Sequence, residues 1–326
     1  MDLLASLRKQ IELLPAGSYK PGLEAVLLHI ETGFRHRQRG IDTGDDTAFT
    51  DAIYRANQAF EGSVKEAYRV LTNQDPDRKR PADIESYFDD HGVFKARVLN
   101  QFTTYRKEWR NPSTHDYKLE FDQSEALLAI VTVAAFASMV LDQIAEHLSF
   151  AQSQAESASQ REAVAEKLDE LEGQGLQVRV SALLKEFCAN HMPQPSDAAP
   201  LTEAQLIGAL HGFLASVAPE LDVNAEFLLT PQRPFRADFV IRRNDDKVLI
   251  ELKRKYHHSA YHNSIAQVEH YMLIGAIRSA VLLFVPSGNA EMDETTVAVE
   301  QIRGSITVLV PHESNKSFQP NAYSGG

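Results

Sequence analysis

Apolar residues recur at helical spacing through the first 150 residues of the chain, then give way to short apolar runs bounded by turn residues. Leu3 to Leu14 is amphipathic, and Ser18-Tyr19-Lys20-Pro21-Gly22 breaks it. The spacing predicts further helices over about 23–39, 47–71, 83–91, 94–109 and 123–150. The third carries Phe49, Ile53, Phe60, Val64, Ala67 and Val70 on one stripe. Asn111-Pro112 stops the fifth, and the last is the most apolar. Long amphipathic helices with short connections predict an all-α antiparallel bundle over residues 1–150.

Residues 151–172 are rich in helix formers but poor in large apolar side chains. Residues 193–200 read PQPSDAAP, a linker by composition, so residues 151–200 are expected to be a helical linker or exposed arm. Thr202 is a plausible cap for a helix over 206–217. Three strands follow, at 226–229, 237–241 and 247–252, then a helix over 261–277 and strands at 280–285 and 306–310. Helix, three strands, helix, strand predicts a mixed α/β domain over residues 201–326, whose NAYSGG tail reads as disordered.

The 43% hydrophobic and 24% charged residues are those of a folded globular protein. One cysteine, Cys188, rules out an internal disulfide and a Cys-rich metal site, and points to the cytoplasm. The run Ala126–Leu141 is short for a membrane span and contains Thr132 and Ser138, so no membrane partner is expected. The net charge is −12; residues 1–150 hold 18 basic and 23 acidic side chains, and residues 202–326 hold 11 and 14. Contact with nucleic acid must therefore use local patches, such as Arg35-His36-Arg37-Gln38-Arg39, Arg78-Lys79-Arg80 or Lys253-Arg254-Lys255.

Asp238 lies inside one predicted strand, and Glu251 and Lys253 end the next, thirteen residues on from Asp238 to Glu251. Side chains two apart in a strand share a face, so Glu251 and Lys253 point the same way. A hairpin through Asn244-Asp245-Asp246 would bring Asp238 beside them. Two close carboxylates favour a divalent cation, and a neighbouring lysine can position a water and offset phosphate charge. This pattern resembles the PD-(D/E)XK nucleases over about residues 201–312, with Ala-Asp in place of Pro-Asp. The resemblance implies catalytic Asp238, Glu251 and Lys253, with Mg²⁺ or Mn²⁺ held by Asp238 and Glu251. It also marks Gln267, in a Gln-x-x-x-Tyr element ending at Tyr271, as a fourth site residue, and Glu203 as a candidate first-helix acid. His257, His258 and His262 read as surface or phosphate-side residues.

The sequence Trp109-Arg110-Asn111-Pro112-Ser113-Thr114-His115-Asp116-Tyr117 sets a second constellation between two helices. Arg110 can hold phosphate but cannot deprotonate, whereas His115 titrates near neutrality and can move the proton of a ribose 2′-hydroxyl. The spacing resembles that of HEPN ribonucleases, helical bundles bearing Arg-x(4–6)-His, over about residues 20–150. Asn111 supplies the polar residue that often follows the arginine, and the helix over 58–69 is also similar to that family. The resemblance implies metal-independent RNA cleavage by Arg110, Asn111 and His115, across a homodimer, with Tyr117 as a modifiable or auxiliary residue.

Together these features predict a dual nuclease, a toxin or antiviral-defence effector acting on RNA, DNA or both, dimeric through its bundle and restrained by an activator or antitoxin partner. Two alternatives stand beside it. One is a single-site Mg²⁺-dependent DNase whose bundle dimerises or senses. The other is a non-catalytic nucleic-acid-binding regulator.

Overall fold

Asp2 accepts the backbone N–H of Leu4 and so starts α1 (Leu3–Leu13), the first helix of a computed structural model. The structure describes residues 2–115, 118–171, 173–192, 201–231, 233–254 and 258–312. α2 (Lys20–Thr43), α3 (Thr47–Thr72) and α4 (Pro81–His91) follow. They end in left-handed residues, Gly44, Asn73 and Gly92, the types that enter that region at least cost. α5 (Ala96–Tyr105) runs into a π turn at Arg106–Arg110.

The predicted stop at Asn111-Pro112 is corrected here. The Asn111 N–H bonds the Arg106 carbonyl, five residues back, and α6 (Asn111–His115) begins anew at that point. Pro112 thus falls in a first helical turn, where its missing N–H is not required. α7 (Gln123–Ser157) is more apolar than α1 to α5. Among the described residues one helix is long and apolar enough to cross a membrane, this one, and half of its most apolar window is buried. Phe136 of α7 packs 5.1 Å from the Phe60 ring, which stacks on Phe102 and Tyr105 at 5.4 and 4.7 Å.

The chain divides into two compact units, Met1–Leu148 and Ser149–Gly326. The second begins earlier than the expected boundary near 201. Its α8 (Arg161–Asp169) and α9 (Leu176–Glu186) occupy what reads in sequence as a linker. Val164, Leu168, Val180 and Leu184 are buried there with Leu210 and Phe213 of α10 (Glu203–Val217), so α8 and α9 each put a buried face into the core of the second unit instead of forming an exposed arm. A second π turn, Phe187–His191, follows α9 and buries Cys188, whose thiol is pushed up to about 12 by that burial. Residues 193–200 and the tail from 313 lie outside the described residues.

Thr202 and Gln205 cap α10 reciprocally, as the sequence predicts for Thr202. β1 (Asp222–Thr230), β2 (Arg233–Arg243) and β3 (Asp246–Lys253) form an antiparallel meander, and α11 (His258–Gly275) crosses to β4 (Ser279–Phe284), parallel to β3. β5 (Met292–Val299) and β6 (Gly304–Pro311) complete a sheet of order β1-β2-β3-β4-β6-β5. The result is a helical part followed by a mixed six-stranded sheet with helices. One face (Phe239, Ile241, Ile250, Leu283) packs on α8, α9 and α10. The other (Val240, Leu249, Leu282, Val308) packs on Val268 and Met272 of α11.

Candidate active site

The β2–β3 hairpin turns at Asn244 and Asp245, with Asn244 at φ 56°, a conformation asparagine tolerates. Its ladder runs from Arg243↔Asp246 to Phe239↔Ile250 and stops. The next positions are Asp238 and Glu251. There the Leu252 N–H donates to Asp238 Oδ2 at 2.7 Å, so a carboxylate takes the place of a strand partner. On its other edge β3 keeps its parallel pairing to β4 through Glu251↔Leu282 and Lys253↔Phe284. The centre therefore lies where β2 parts from β3, which stays paired to β4.

Glu251 is 5% exposed. Its Oε1 accepts Lys253 Nζ at 2.9 Å and Gln267 Nε2 at 3.0 Å. Lys253 Nζ also donates to Gln267 Oε1 at 2.9 Å, closing a triangle of three side chains. Gln267 Nε2 donates in addition to the Tyr271 hydroxyl at 3.0 Å, one helical turn along α11. Glu251 Oε2 is buried without a hydrogen-bond partner, a costly state for a carboxylate oxygen.

Burial raises the Asp238 pKa to about 7; the Glu251 and Glu203 charges add to the rise, while the Leu252 N–H and Lys253 oppose it. Glu251 is raised too, first by burial, against the pull of Lys253. Glu203, in the first turn of α10, acts on both carboxylates through its charge. The sequence-predicted Asp238, Glu251, Lys253 and Gln267 are thus brought together. Among the described residues no cluster of three or more His, Cys, Asp and Glu forms a ready metal cage. A hard cation that keeps several waters needs only one or two carboxylates. The unpartnered Glu251 oxygen and the Asp238 carboxylate are the donors such an ion would engage.

In the first unit, Tyr105 donates to Asn57 Oδ1 at 3.1 Å, and Asn57 Nδ2 donates to Ser113 Oγ at 2.7 Å. Ser113 Oγ in turn donates to the Trp109 carbonyl at 2.7 Å. These groups tie α3 and α5 to the π turn and fix the backbone of Arg110 and Asn111. Arg110 Nη1 donates to Asn111 Oδ1 at 3.2 Å, and its Nε lies 3.8 Å from Glu61. His115 ends α6, but its side chain lies outside the described residues, as do Tyr117, His257 and the side chain of His258. His262 lies exposed in the first turns of α11.

A cleft opens beside Arg110, lined by His36, Asp51, Tyr54, Arg55, Gln58 and Thr114, with Asn57 and Ser113 also on its wall. The signal for its α3 side was present: Tyr54, Gln58 and Glu61 recur at i, i+4 and i+7 opposite the apolar stripe. The basic patches fare unequally. Arg39 pairs with Asp45 and Asp51, Arg80 with Asp83, Arg37 donates to the Gln123 carbonyl, and Arg254 to that of Leu201. Comparison with protein-family models, curated proteins and solved structures finds no match.

Proposed function

We propose that the second unit is a divalent-metal-dependent nuclease of the PD-(D/E)XK type. The observation that carries this is the buried Asp238–Glu251 pair, with an unpartnered Glu251 oxygen and Lys253 and Gln267 bonded to the same carboxylate. The order α10-β1-β2-β3-α11-β4, with the acids where β2 and β3 part, supports it. Asp238 and Glu251 would hold Mg²⁺ or Mn²⁺, which when bound acidifies water and polarises the phosphate. Lys253 keeps its ammonium at the site through Glu251 and Gln267, ready to orient the attacking water or offset charge on a phosphate oxygen. Gln267 fixes that ammonium, and Tyr271 fixes Gln267. Hydrolysis forms one oxygen–phosphorus bond from water and breaks the bond to the departing nucleotide oxygen.

The first unit is read as a HEPN-type ribonuclease, because Arg110 stands braced beside an open cleft. Arg110 would hold the phosphate while His115 moves the 2′-hydroxyl proton, without metal. A homodimer through the bundle, a toxin or antiviral role, and a restraining partner extend this reading.

Labelled single-stranded RNA, single-stranded DNA and duplex DNA, each incubated with Mg²⁺ or with EDTA, test both centres. Lys253→Ala is expected to lower metal-dependent cutting by about 10²–10⁴-fold. His115→Ala is expected to remove EDTA-resistant RNA cutting alone. Metal-dependent cutting without any EDTA-resistant activity would leave one nuclease, with the bundle as its dimerisation or sensor module. Metal-dependent cutting unchanged in Lys253→Ala would sink the first assignment.

A further inference from the structure

The cleft beside Arg110 has its acids accounted for and its cations not. Asp51 bonds Arg39 at 2.9 Å, and Glu61 faces Arg110 at 3.8 Å. Arg55 has no carboxylate within ion-pair distance among the described residues; its guanidinium lies 3.5 Å from His29 Nδ1. Arg35, one residue from His36, likewise bonds only the Thr32 hydroxyl among the described residues, at 2.7 Å. In a chain of net charge −12, this leaves Arg55 on the cleft wall, and Arg35 next to His36, as cations open to an outside anion. Burial, with neighbouring arginines, holds His36 on the cleft wall, and His29 beside Arg55, below the usual histidine range. Tyr54, on the same wall, is 52% exposed and has no ring or hydrogen-bond partner among the described residues.

An exposed aromatic ring beside unpaired guanidinium groups is the arrangement that binds unstacked bases and their phosphates. A duplex keeps its bases stacked against each other and offers no free face to the ring. We propose that this cleft binds single-stranded RNA, Tyr54 stacking on a base and Arg55 holding a phosphate, and delivers the strand to Arg110. The proposal rests on reading Arg110 and His115 as an RNA-cleaving centre. The strand meets a rigid floor, since Asn57 and Ser113 are both buried and mutually bonded.

The test measures binding and cutting separately on the full chain in EDTA. Anisotropy of a fluorescein-labelled oligouridylate is followed against salt in a His115→Ala background, with an oligothymidylate and an RNA duplex as comparison probes. Tyr54→Ala should weaken oligouridylate binding about tenfold without changing the salt slope. Arg55→Ala should weaken it and reduce the slope by about 0.7, the loss of one single-strand phosphate contact. Tyr54→Trp should bind as the parent does. Both residues lie at the surface, and equal melting temperatures would show that the variants fold. Parent-like binding by both alanine variants overturns the proposal, as does absent parent binding or an equally tight duplex. If the variants lose binding but the wild-type chain never cuts RNA in EDTA, the cleft stands and the cleaving centre falls. If cutting is unchanged in both variants, the centre stands and the cleft falls. If Tyr54→Ala converts a dimer to monomer by light scattering while RNA affinity holds, the cleft is a surface between copies and the proposal fails.

Discussion

At the level of single residues, Asp238 couples the proposed chemistry to acidity. Its folded pKa, about 7, lies above the ordinary aspartate value, so between about pH 4 and 7 the folded chain holds a proton that the unfolded chain has lost. Stability of the metal-free protein therefore falls as pH rises through that window and stays reduced above it. Asp238→Asn keeps an oxygen for the Leu252 N–H but carries no charge. In EDTA at pH 8 this variant should melt above the parent, and at pH 4 the two should converge. Mn²⁺ should raise the melting temperature of the parent at pH 8 and not that of the variant, because the cation offsets the buried charge that Asp238 carries there and asparagine lacks. Identical melting of both proteins at both pH values would refute the raised pKa assigned to this carboxylate. Glu251 and Lys253 were legible as a pair because strand alternation alone places them on one face. The bond from Leu252 to Asp238 was not, since regular pairing would have given that N–H a backbone partner.

Among elements, close approach of backbones is decisive. A Cβ on Gly212 of α10 would stand 2.2 Å from the Phe150 carbonyl of α7, a backbone atom that cannot swing aside. Gly212→Ala should therefore cost about 1–3 kcal/mol of overpacking, seen as a lower urea midpoint for the second unit. An unchanged midpoint would mean that these helices can separate freely. The first three helices could be read from periodicity because each buries a regular face, and α10, β3, β4 and β6 from dense apolar runs, the strands being covered on both faces of the sheet. β5 escaped notice because MDETTVAV is a largely exposed edge strand with no apolar alternation to read. The α8 stretch escaped because few large apolar residues serve its packing: Val164 and Leu168 are the buried apolar residues among its described side chains, amid alanine and charge. Pro112 misled because a π turn shifted the register under it, which no local propensity encodes.

For the molecule as a whole, charge sets the terms of association. With −12 overall, binding to nucleic acid rests on a few local cations against a repelling background. Affinity of the chain alone should be weak and should fall steeply between about 50 and 200 mM salt, measured by filter binding. A nanomolar complex insensitive to salt would refute this and require a broad basic surface. The single cysteine has a bearing on how such binding can be watched. Cys188 is sealed in the second unit, and burial keeps its thiol protonated far above neutral pH, so it cannot react as a thiolate. A cysteine introduced on the cleft wall would then be the one nucleophilic sulfur in the native protein. Maleimide dyes or nitroxide labels would attach there without any prior removal of the natural residue.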